Sequence, residues 1–151
     1  MNPSQIELVR ESFALVVPRA VQAGALFYDK LFERDPSIGM LFHTDMATQA
    51  RRLFEMIGDA VRLLDAPEHL DAMLAALGAR HLAYGVRDEH YETVGGALLD
   101  TLSGALGEAF TPELREAWGS FYGRVSRVML EGAHCQARAL RAVPPTERQA
   151  A

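Results

Sequence analysis

Three polar side chains sit on helical stripes that are otherwise apolar. His81 continues the series Leu70, Leu74 and Leu77 at helical spacing, so its imidazole is expected to point inward. A neutral imidazole in that position can ligate a haem iron and leave the opposite axial face open to a gas. It can equally be a buried histidine satisfied by a backbone carbonyl. Gln49 lies one turn before Leu53 on the inward stripe of another helix. Burying a primary amide without a partner costs about 1–3 kcal/mol, so water, a side chain or a ligand must meet it unless it lies at a solvated helix start. Tyr28 falls between Gly24 and Leu31 on a third apolar face. Its hydroxyl either finds a buried partner or reaches the surface. Together Tyr28 and Gln49 can donate hydrogen bonds to a bound diatomic gas that carries partial negative charge.

Other chemistries lack their parts. Glu131-Gly132-Ala133-His134 is a Glu-x-x-His element, but a di-iron bundle needs two of them with further inward glutamates. His43, His69 and His90 fall in expected loops or at helix ends, where solvated histidines are common. No glycine-rich phosphate loop, His-Glu-x-x-His element or nucleophile elbow is present. The single cysteine, Cys135, cannot close an internal disulfide and suits a reducing compartment. A net charge of −5 argues against nucleic acid and against anionic membrane surfaces as partners.

The elements that must hold these residues all read at helical period. With 49% apolar residues in 151, the chain can bury the core of one domain. Ser4-Gln5-Ile6-Glu7 has the pattern of a capping box and is expected to open a first helix. Pro18 suits the first turn of a second, which runs to about Arg34. Asp35-Pro36-Ser37 starts a short helix ending near Phe42, and His43-Thr44-Asp45-Met46 is a loop with capping residues. Longer helices are expected from about residue 47 until Asp65-Ala66-Pro67, then over 68–84, 89–107 and 112–134, with Gly85 and Asp88 marking the turn before residue 89. The expectation is an all-α chain of seven or eight unequal helices over residues 1–135, followed by a polar, frayed tail over 136–151 containing Pro144-Pro145. A regular four-helix bundle would need fewer and more equal helices.

In order along the chain, Pro36, Phe42, Gln49, Leu53 and His81 resemble the globin series of proline, haem-packing phenylalanine, distal residue and proximal histidine. The stretches Phe27-Tyr28-Asp29-Lys30-Leu31-Phe32, Gln49-Ala50-Arg51-Arg52-Leu53-Phe54, His90-Tyr91-Glu92-Thr93-Val94-Gly95 and Ala117-Trp118-Gly119-Ser120-Phe121-Tyr122-Gly123 are similar to bacterial single-domain haemoglobins and the globin part of flavohaemoglobins. The resemblance implies a globin fold around haem b, with His81 as proximal ligand. It implies Tyr28 and Gln49 as the distal pair with Leu53 beside them, Phe42 packed on the porphyrin, Tyr91 near His81, and Val94 lining the haem. One position departs from the flavohaemoglobin pattern. Ala133 stands where that pattern has a glutamate completing a proximal network, and Glu131, two residues earlier, should face about 200° away. Without that carboxylate the histidine is a less basic ligand and oxygen activation is weaker.

The function implied is reversible oxygen binding, for storage, delivery or buffering, with nitric oxide and carbon monoxide as further ligands. One alternative is nitric oxide dioxygenase activity; no flavin or nicotinamide domain follows in this sequence, so an external reductase would be required. Another is a gas sensor acting through a partner. A homodimer is a further expected assembly. Absence of an apolar signal core or a membrane-length apolar run in the sequence leads to a cytoplasmic expectation.

Overall fold

The helices opening at Pro3, Met46, Pro67 and Pro112 begin where a short polar side chain or a proline satisfies the first turn. A computed structural model describes residues 1–142. Helix α1, Pro3–Val16, is capped by Asn2, whose side chain accepts from the Gln5 N–H at 2.8 Å while Gln5 Oε1 accepts from the Asn2 N–H at 3.2 Å. The box therefore starts two residues before the expected Ser4, because asparagine caps as well as serine and Pro3 is preorganised for the first helical position. Pro18 lies in a 3-10 turn, Val17–Arg19, that precedes α2, Ala20–Arg34, rather than in α2 itself. Asp35 caps a second 3-10 segment, Pro36–Leu41, and Asp45 caps α3, Met46–Arg62, by accepting from the Thr48 N–H at 2.9 Å.

Proline at the first position also opens α4, Pro67–Ala83, after the 3-10 turn Leu63–Asp65. Helix α5, Asp88–Leu106, takes in Asp88, which was expected to be its cap; Arg87 occupies that place. After a last 3-10 turn, Gly107–Ala109, helix α6 spans Pro112–Ala142. It passes the expected end at His134 because residues 135–142 contain good helix formers and no breaker. Residues 136–142, expected to fray, are thus helical, and the rest of the tail lies outside the described residues. The all-helical class is as expected, but the described residues form six α-helices and four 3-10 turns rather than seven or eight helices. The short segments between tight turns close i→i+3 bonds instead of building an α-helical turn. Among the described residues no helix is long and apolar enough to cross a membrane.

Two helix crossings without room for a side chain set the frame. Where α2 meets α3, a Cβ on Gly24 would lie 2.4 Å from the Ala50 methyl. Where α4 meets α6, a Cβ on Gly78 would lie 1.9 Å from the Met129 carbonyl oxygen, and one on Gly132 would lie 2.1 Å from that of Ala75. Only hydrogen fits at these points, so the helix axes approach closely. Beneath them, Trp118 is fully buried and donates from Nε1 to Ser12 Oγ at 2.9 Å, which satisfies the one polar atom of the largest core side chain.

Candidate functional site

Two of the expected site residues, Tyr28 and Gln49, flank the first crossing on its two helices. One turn beyond Gly24, Tyr28 is buried, and next to Ala50 is Gln49. The Tyr28 ring packs edge-on against Phe27 at 5.0 Å and against Phe42 at 5.4 Å between centroids; Phe32 touches both Tyr28 and Phe42. Phe42, expected to lie on a porphyrin, is half-buried at the end of its 3-10 segment and forms an aromatic wall with Tyr28. Among the described residues the Tyr28 hydroxyl has no hydrogen-bond partner. Burial pushes its pKa up to about 12, so at neutral pH it is a phenol with a proton to donate. Leu53 is half-buried and lines a small apolar void with Phe27, Ile57 and Leu98.

Gln49 is also half-buried, but its amide is engaged: Nε2 donates to the Thr44 hydroxyl. The partner required by the amide is therefore a loop side chain. Thr44 was legible in the sequence only as part of a capping loop.

The second crossing carries the other face. His81 lies three residues after Gly78, half-buried, with Nδ1 at 2.8 Å from the Leu77 carbonyl. A carbonyl only accepts, so Nδ1 carries the proton and the lone pair is on Nε2. The backbone carbonyl satisfies one ring nitrogen, and the other is left with its lone pair. Burial, and secondarily the Arg80 charge, lower its pKa and favour the neutral ring, against the opposing effect of the Leu77 bond. Its ring neighbour is Tyr84, at 6.0 Å.

Tyr91 is buried in α5, and its hydroxyl is a buried side-chain atom without any partner. Its own carbonyl accepts from the Tyr122 hydroxyl, which fixes the backbone and leaves the phenol unanswered. Burial, then the nearby Asp88 carboxylate, push the Tyr91 pKa up. Ala133 is buried and offers a methyl group, while Glu131 is exposed, as its angular offset requires. Val94 is half-buried and packs on the core. No described contact joins the His81 ring to Tyr28, Gln49, Tyr91 or Val94 directly.

One histidine departs from expectation. His90 is buried, not solvated, because its Nδ1 accepts from the Arg87 N–H at 2.9 Å and so closes the turn before α5. His43 and His69 are exposed, and His134 pairs with Asp88 at 2.9 Å. Among the described residues no three histidine, cysteine or acidic side chains come together as a metal site.

The residues present fit a haem. His81 offers a neutral nitrogen, Phe42, Leu53 and Val94 offer apolar surface, and the Tyr91 hydroxyl is a buried atom without a protein partner. An orphaned buried hydroxyl is rare in proteins and points to a group that answers it.

Comparison with known proteins agrees. The family model described as Globin matches residues 25–129. The chain is similar to neuroglobin of Dissostichus mawsoni, 31% identical over 140 residues that cover 83% of this chain and 88% of the relative. It is similar to anaerobic nitrite reductase HBII of Casuarina glauca, 34% identical over 143 residues covering 84% and 89%. Among solved structures it superposes on a Drosophila melanogaster globin with a TM-score of 0.79 at 19% identity, over 87% of this chain and 94% of that one. That likeness shows the fold.

Proposed function

The chain belongs to the globin family, whose members bind haem and diatomic gases, and from that premise we propose that it binds molecular oxygen reversibly on haem b. The observation that carries this reading is His81, whose Nδ1 proton is held by the Leu77 carbonyl so that Nε2 presents its lone pair. Haem, when bound, would supply an iron able to take up a gas. His81 would hold that iron through Nε2, and Phe42, Leu53 and Val94 would pack on the ring. On this reading Tyr91 would stand on the His81 side, and Ala133 would offer it no carboxylate. The protonated Tyr28 hydroxyl would donate to the gas and slow its escape, with Gln49 a second donor once its amide leaves Thr44.

A second reading is favoured by the same Tyr28 donor. Nitric oxide, oxygen and one electron from an external reductase give nitrate, and the distal donor holds the oxygen in place for it. The name of the Casuarina protein adds nitrite to the small nitrogen oxides worth testing. The motif likeness supports kinship with bacterial single-domain haemoglobins, and one cysteine suits the reducing cytoplasm.

Absorption spectra of the purified, haem-supplied protein test the first reading. It predicts a Soret band, and a ferrous spectrum that changes on adding oxygen and returns on removing it. His81→Ala abolishes this behaviour. No Soret band, or immediate oxidation without a reversible oxygenated spectrum, contradicts the reading.

A further inference from the structure

Thr44 occupies the position before the Asp45 cap of α3, and Gln49 is the fourth residue inside that helix. In many helices these two places hold apolar residues that staple the entering chain to the first turn. Here the staple is polar, with the Gln49 amide nitrogen donating to the Thr44 hydroxyl. Asp45 does not compete for it, because its carboxylate accepts from both the N–H and the hydroxyl of Thr48, at 2.9 and 2.7 Å. Thr44 is exposed and Gln49 only half-buried, so the bond draws the amide toward the solvent edge of the corner. The same short segment begins at Phe42, which packs on Tyr28.

We propose that Thr44 is a positioning residue that competes with the bound gas for the Gln49 amide. While the staple is closed, the Gln49 nitrogen is turned to the corner and Tyr28 is left as the main donor to the gas. When it opens, Gln49 becomes a second donor. The Phe42–Asp45 corner thereby adjusts gas retention without changing Tyr28. The inference rests on the oxygen-binding reading above.

Oxygen dissociation from the haem-loaded protein should slow about two- to tenfold in Thr44→Val, the range of one additional net hydrogen bond. Thr44→Ser, which keeps the hydroxyl, should retain the native rate. In a Gln49→Leu background, Thr44→Val should change nothing. Side-chain amide NMR on the haem-free protein supplies an independent readout: the Gln49 NH2 resonances should move in Thr44→Val and stay in Thr44→Ser. Thr44→Ala provides the same removal should valine fail to fold. Unmoved resonances, an unchanged or faster rate in Thr44→Val, or an equal change in both backgrounds overturns the proposal. If instead Tyr28→Phe, measured alongside, leaves dissociation unchanged, the oxygen-binding role of the distal face fails, which is a distinct outcome.

Discussion

The two faces of the site are built by the same device and equipped differently. Each grows from a glycine crossing: Gly24 on Ala50 for the Tyr28 face, and Gly78 on Met129 with Gly132 on Ala75 for the His81 face. On the first, a buried phenol keeps a free proton and an amide waits at the edge. On the second, the histidine proton is held by backbone, while on α5 the buried Tyr91 hydroxyl has no partner. The first region thus carries two hydrogen-bond donors, and the second a histidine with a buried alanine methyl at position 133 in place of a carboxylate. On the proposed oxygen-binding reading, that difference favours binding over activation.

Substitutions at the crossings should break this comparison most strongly. Gly78→Ala drives a methyl into backbone, which cannot give way, so it should cost about 3 kcal/mol or more and displace His81 with its helix. Gly24→Ala meets only the Ala50 methyl and should cost less, with Ala50→Gly restoring part of the loss. Chemical denaturation of both variants and of the double variant measures these effects; equal losses would mean that the two faces are not held as described. A smaller effect is expected from Ala133→Glu, which introduces a carboxylate at a buried position of α6 next to Gly132, where α6 meets α4. The iron midpoint potential should fall as the histidine becomes more basic. An unchanged potential in a folded variant would show that position 133 does not reach the histidine network.

Much of the fold could be read from the sequence because helical periodicity survives any tertiary context. The stripes through Leu70 and Leu74 and through Phe27, Tyr28 and Leu31 are buried as expected, with Leu77 half-buried. Caps were less legible: Asn2 and Ser4 are both competent, and only the position of Pro3 decides between them. What hid was long-range. Gly78 and Gly132 look like ordinary helix glycines until α4 and α6 are brought together. Nothing in His90 alone tells that its ring closes a turn instead of meeting water. The Thr44 contact with Gln49 was within reach of sequence reasoning, since the two places are the staple positions of a capped helix. It was missed because that motif is usually apolar.

The most direct test of a distal face made to retain gas is oxygen dissociation measured by rapid mixing in Tyr28→Phe against the native chain. The substitution removes one hydroxyl and leaves the Phe27, Phe32 and Phe42 packing in place. A hydrogen bond to a partly charged ligand is worth about 1.5–3 kcal/mol, so release should accelerate about ten- to a hundredfold. A rate equal to that of the native protein would contradict the account.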